Sequence, residues 1–141
     1  MHRNSEHYPN PTFSGAYFQI RRDEKIIKRG ERFIPWVYIA SPYRGNIEKN
    51  TDNARRYSLF AVQCGKLPFY PHIYFTQFLN DSIKTERRQG LTLALHMLKR
   101  CTEMWVFGEY ISSGMQREIR AARKWNIPIK YFDENCGVME L

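Results

Sequence analysis

The sequence predicts a parallel α/β sheet of four to five strands with helices on both faces. Three observations carry that prediction. Short apolar runs recur at 33–41, 67–71, 103–108 and 127–132. The runs are apolar nearly throughout rather than alternating, as expected of strands covered on both sides. Between them lie segments whose apolar residues return at helical spacing.

The first run, "FIPWVYIAS" (33–41), ends in Ser-Pro and reads as a buried strand. A polar loop leads into a helix marked by Ala54, Tyr57, Ala61 and Cys64, and Gly65 is its natural stop. "LPFYP" (67–71) is the second strand, and "HIYFTQFLND" (72–81) a loop with one helical turn. Leu91, Leu95, Leu98 and Cys101 form a second helical stripe, followed by the strand "EMWVFG" (103–108). Met115, Ile119, Ala122 and Trp125 form a third stripe, and "IPIKYF" (127–132) closes the series. The order β-α-β-α-β-α-β brings ligands to the carboxyl ends of the strands. Segments 41–46, 71–77 and 108–118 are therefore the places to look for chemistry.

Residues 1–32 differ from the rest. They are polar, with Pro9, Pro11 and Gly15 close together, and read as an extension ahead of an α/β domain over 33–141. Within them "AYFQI" (16–20) suits a short strand. The 141 residues suit one core, with 43% apolar and 26% charged residues. Three cysteines without a C-x-x-C pair indicate neither a disulfide frame nor a zinc site, so a reducing cytoplasm is expected. No apolar run is long enough to span a bilayer, and "MHRNSEHYPNPTF" does not read as a secretory signal. The formal charge of +8 is partly gathered in "RRDEKIIKRGER" (21–32). A solvated basic surface explains it, attraction of a phosphorylated small molecule is the next reading, and nucleic acid is not the expected partner.

The first candidate loop, "SPYRGN" (41–46), offers Ser41, Tyr43, Arg44 and Asn46 beside a helix N-terminus, with Gly45 shaping the turn. Such a terminus favours an anion, although an ordinary βα turn has the same composition. The loop has neither G-x-G-x-x-G nor a Walker pattern, so dinucleotide and P-loop readings lack support. In the second loop, His72 follows Pro71, where a structural role competes with a catalytic one. In the third, Ser113 and Gln116 have capping-box spacing, and Gly114 lets a ligand approach the backbone. Glu118 borders the apolar stripe of this helix, while Arg117, Arg120, Arg123 and Lys124 are expected to point elsewhere. A carboxylate there needs a partner, either a nearby arginine or a substrate.

"YIASPYRG" (38–45) with "ISSGMQREI" (111–119) resembles the nucleoside 2-deoxyribosyltransferase superfamily. "PHIYFTQFLND", "CTEMWVFG" and "SSGMQREI" are similar to small uncharacterised bacterial and phage proteins placed beside those enzymes. The resemblance covers about residues 36–133. It implies a flavodoxin-like, Rossmann-like domain that cleaves the N-glycosidic bond of a nucleoside or its 5′-monophosphate. The implied nucleophile is Glu118, at the spacing S-x-G-x-x-x-E from Ser112 and Gly114. Tyr38, Ser41 and Arg44 match further family positions, and Ser112 matches a phosphate-binding serine. One departure stands out: the aspartate usual in the preceding helix falls here near Ala94, and no Asp occurs in 84–102. His96 is the nearest titratable residue, with His72 and Asp81 as other sources of a proton. The expected ligand is a nucleoside or nucleotide, with no cofactor or metal, in a homodimer. A domain of the same fold that binds nucleotides without cleaving them is the alternative.

Overall fold

Each apolar run becomes a strand, but a shorter one than the sequence suggests. The computed structural model describes residues 19–22, 24 and 33–140. Strand β1 is Trp36–Ala40, helix α1 Ile47–Gln63, β2 Leu67–Phe69, the short α2 Pro71–Phe75, α3 Lys84–Arg100, β3 Glu103–Phe107, α4 Ser113–Lys124, β4 Ile129–Phe132 and β5 Val138–Met139. Proline and glycine account for much of the shortening. Pro35 has no N–H to donate and lies just ahead of β1. Pro71 opens α2 and so ends the second run. Gly108 turns the chain at φ 90° directly after β3.

The sheet order is β2-β1-β3-β4-β5. The first four strands run parallel, and β5 pairs antiparallel with β4. This is the α/β architecture of four to five strands expected from the sequence, with the fifth running antiparallel. That strand was not legible as an apolar run because only two residues form it. Its turn depends on Asp133, whose Oδ1 accepts from the N–H groups of Asn135 and Gly137, both at 2.8 Å. A Cβ on Gly137 would lie 2.7 Å from Asp133 Oδ2, so the close approach requires glycine.

Strand alternation divides the core. Val37, Ile39, Trp105 and Phe107 pack under α1 through Ala54, Tyr57 and Ala61. Tyr38, Ala40, Met104 and Val106 pack under α3 and α4 through Ala94, Leu98, Met115, Ile119 and Ala122. Burying side chains of this size contributes about 1.5–3 kcal/mol each. The expected stop of α1 at Gly65 is observed, with φ 77°.

The chain divides into two units, Met1–Phe33 and Ile34–Leu141. In the first, Gln19–Arg22 and Glu24 are helical, which corrects the strand expected over 16–20 at its last two residues. Residues 16–18 and most of the basic segment 21–32 lie outside the described residues. Among the described residues, no helix is long and apolar enough to cross a membrane.

Candidate active site

The strand order reverses between β1 and β3, so the chain leaves their carboxyl ends in different directions and opens a crevice. Three loops meet there. The first is fixed by Asn50, whose Nδ2 donates to the carbonyls of Tyr43 and Arg44, both at 3.0 Å. Asn46 caps α1 by accepting from Lys49 N at 3.1 Å. Gly45 supplies the turn at φ 96°, a conformation that suits a residue without Cβ. The second loop begins at Tyr70 and carries His72 in α2. Its imidazole stacks on the Tyr43 ring at 4.6 Å and 4°. The third loop ends at Ser112, which caps α4 by accepting from Met115 N at 3.2 Å. The cap is therefore one residue earlier than the Ser113–Gln116 box predicts.

These loops enclose a cavity of about 240 Å³. Ser41, Tyr43, Arg44, His72 and Glu118 line it, as do Ser112, Ser113 and Gly114 of the third loop. Glu118 also faces a narrower hollow beside Ala94. Gly45 lines the neighbouring groove, not this cavity.

Glu118 is only 7% exposed. Burial pushes its carboxyl up to about 8, against smaller opposing effects from the Tyr38 hydroxyl and the Arg117 charge. Tyr38 is fully buried in β1, and its phenol is held well above the usual range by burial and by Glu118. Burial likewise holds the Tyr70 phenol well above its usual range, so it stays protonated at neutral pH. His72 is pushed down to about 4 by burial, so its ring is neutral at physiological pH.

Among the described residues, three buried side-chain oxygens lack a hydrogen bond of regular geometry: Tyr38 Oη, Ser41 Oγ and Tyr70 Oη. All three belong to this region. Tyr38 lies against the Glu118 carboxyl, and Tyr70 against Ser41. Native interiors leave few such groups unpaired. All three sit at the carboxyl end of the sheet, near Glu118.

The sequence expectations fare unevenly. Tyr38, Ser41, Tyr43, Arg44, His72, Ser112, Ser113, Gly114 and Glu118 are gathered around one crevice. His96 is not. It is exposed on α3 and lines neither hollow that Glu118 faces. Two residues beyond Ala94 is about 200° around a helix, so the pairing of His96 with Glu118 expected from proximity in sequence is corrected. Asp81 does line the cavity, joined to Arg44 at 3.3 Å. Arg117 is expected to point elsewhere but lines the cavity, because the N-terminal end of α4, from Ser113 to Glu118, borders the crevice. Arg87 has no signal in the sequence, whereas Tyr70 is one of the aromatics of the second loop that suit either stacking on a base or the core.

A family model matches residues 35–132, from just before β1 to the end of β4. The chain belongs to that family, DUF7768, a domain of unknown function. No curated protein matches the sequence. Among solved structures, the DUF7768 domain is similar to a 2-deoxyribosyltransferase from Bacillus psychrosaccharolyticus, with a TM-score of 0.60 and 15% identity over 74% of this chain and 77% of that one. It is also similar to a 2-deoxyribosyltransferase from Leishmania mexicana, with a TM-score of 0.52 and 12% identity over 70% of this chain and 64% of that one. The likeness is one of fold and marks a distant structural relationship. It agrees with the Rossmann-like sheet and its switch point.

Proposed function

We propose that the domain cleaves the N-glycosidic bond of a nucleoside or its 5′-monophosphate, with Glu118 as nucleophile. The observation that carries this reading is the buried Glu118 carboxyl at the switch-point cavity, beside buried hydroxyls that make no hydrogen bond of regular geometry. The Glu118 carboxylate attacks C1′ of the sugar, the C1′–N bond breaks, and its electron pair leaves with the base, which takes up a proton. Water or a second base then attacks C1′ and releases the carboxylate.

Tyr38 orients Glu118 from the floor of the site and, by donating to it, favours the ionised carboxylate that attacks. His72 takes the place that His96 does not occupy. The neutral imidazole donates a hydrogen bond to the departing base, which takes its proton from solvent. Tyr43 and His72 form a flat aromatic wall for the base. Because the resting carboxyl is protonated below about pH 8, kcat/KM rises with pH and levels off above that value.

The test is release of free base from the four 2′-deoxynucleosides and their 5′-monophosphates, followed by chromatography. Glu118→Gln is expected to reduce it at least about 10³-fold. No release by the wild type, or an unchanged rate in the variant, defeats the proposal.

A second reading has one observation of its own. Ala94 stands in the hollow beside Glu118 where the resemblance calls for an aspartate. A domain that binds nucleotides without turnover explains that loss. Saturable binding with no base release at any pH between about 6 and about 9 distinguishes it.

A further inference from the structure

The helices on the two faces of the sheet carry very different charge. Helix α1 holds three Lys or Arg against two carboxylates, and Arg55 is paired with Asp52 at 3.0 Å. Helices α3 and α4, on the other face, hold nine Lys or Arg against two carboxylates. One of the two, Glu118, is buried. The other, Glu86, lies in the first turn of α3. Beyond these positions neither helix has a carboxylate. The sequence suggests a solvated charge excess spread along helix faces, whereas the fold collects much of it on one side.

Six of these cations form a patch. On α4, Arg117, Arg120 and Lys124 return at spacings of three and four, on the side opposite Met115, Ile119 and Ala122, which face the core. Arg123 adds to them in the last turn, where Lys99 and Arg100 close α3. The two helix ends meet: Lys99 Nζ lies over the ring of Trp125, the C-cap of α4, at 5.5 Å. All six cations are exposed. No ion pair among the described residues involves a Lys or Arg of α3 or α4. Arg100 donates to His96 O at 2.8 Å and Arg123 to Tyr131 Oη at 3.4 Å, neutral partners that leave the charges uncompensated. Like charges one turn apart repel, and an anionic partner relieves them.

The chemistry of the patch narrows that partner. Among the exposed large hydrophobic residues, none belongs to α4 and only Leu93 to α3. The face therefore lacks the apolar anchors of a protein interface or a membrane-bound helix. It also lacks an exposed ring on which unpaired bases stack. Four of the six cations are arginine, whose guanidinium takes two phosphate oxygens at once. Neighbouring helices packed at about 8–10 Å set cation rows on the scale of the phosphate rows that border a B-form groove, about 6–12 Å wide. We infer that the outer face of α3 and α4 binds duplex DNA through its phosphates, without reading the bases. This interaction is independent of bond cleavage at Glu118.

Fluorescence anisotropy with a labelled duplex of about 30 base pairs tests it on the full chain. At about 50 mM salt a Kd of about 1 μM or tighter is expected, and log K is expected to fall against log salt with a slope of about −3.5 to −5.5, as four to six phosphate contacts require. Arg120→Glu with Lys124→Glu is expected to weaken binding at least about tenfold, and Lys99→Gln with Arg100→Gln about threefold. Lys49→Glu with Arg55→Glu, on α1, changes the net charge as much as the α4 pair and is expected to cost less than about threefold. Thermal melting confirms that each variant folds. Absence of binding at that salt, an equal loss from the α1 pair, or full affinity in both the α3 and α4 variants overturns the inference. So does tighter binding to the single strand, to an RNA duplex of the same length, to phosphatidylserine vesicles or to polyglutamate. Base release is measured on the same variants. DNA binding without release upholds this inference and defeats cleavage, and release without DNA binding does the reverse.

Discussion

Two buried tyrosines show how differently the middle of the sheet and its carboxyl end are built. Tyr57, under α1, stacks on Phe107 at 4.2 Å and 10°. Phe107 in turn stacks on Phe132 at 5.0 Å and 16°, and Phe60 meets both rings edge-on. The nearby Trp105 Nε1 donates to Glu103 at 2.7 Å, so the polar edge of this aromatic cluster is satisfied. Tyr38 is more deeply buried, yet its hydroxyl has no regular hydrogen bond and faces a carboxyl that burial keeps protonated. The first arrangement holds the fold together. The second sets buried polar groups against one another in poor hydrogen-bond geometry, which a stable core avoids.

Removing a ring from the first region has the largest expected effect on stability. Phe107→Ala deletes a fully buried side chain between three aromatic partners. It is expected to cost about 3–5 kcal/mol in denaturant unfolding. A cost below about 1 kcal/mol would mean that the aromatic cluster is not what stabilises this face.

The second region predicts a pH effect of the opposite character. Glu118 titrates near 8 in the folded chain, above its ordinary 4.5. The folded state therefore holds the proton longer than the unfolded state. Stability from this group is complete below about pH 4.5 and is lost as pH rises through about 8. His72 acts in the other direction, from its ordinary 6.5 down to about 4, so its influence is over by neutrality. Between about pH 7 and about 8.5 the slope belongs to Glu118, and wild-type stability is expected to fall by about 1 kcal/mol. Glu118→Gln is expected to remove that slope. A variant with the same slope as the wild type would place the titration elsewhere.

Tyr38→Phe sharpens the contrast within one ring. Removing an unsatisfied hydroxyl leaves the packing in place, so stability at about pH 6 is expected to change by less than about 1 kcal/mol. The same hydroxyl favours the ionised form of Glu118, so its loss is expected to move the Glu118 titration upward. A large loss of stability with no change in that titration would give Tyr38 a packing role alone.

The difference between the regions also explains what could be read from sequence. Apolar runs and helical stripes report burial, and burial decides where Val37, Ile39, Ala54 and Tyr57 go. The parallel arrangement then follows from connection rules, and with it the carboxyl ends of the strands as the place where Ser41, His72 and Glu118 gather. Side-chain direction at helix starts is less legible. Arg117 and His96 were placed by spacing along a helix, but their surroundings depend on which turn faces the crevice. Arg87 lies in the first turn of α3, where sequence gives no sign that a loop stands opposite. The two-residue β5 depends on an Asp133 turn rather than on hydrophobic pattern.

The smallest expected effect concerns the rim of the site, where the Arg44–Asp81 pair joins the first and second loops across 3.3 Å of partly solvated space. Either Arg44→Gln or Asp81→Asn is expected to cost only a few tenths of a kcal/mol, since screened pairs contribute little. Their effects on His72 should nevertheless have opposite signs. Asp81 raises the imidazole titration and Arg44 lowers it, although burial outweighs both. Asp81→Asn is therefore expected to move the His72 titration further below about 4, and Arg44→Gln to move it upward toward its ordinary value. Nuclear magnetic resonance of the His72 ring protons reads both shifts. Shifts of the same sign would mean that removing either partner rearranges the loops, and that the rim is positioned by the pair rather than merely charged by it.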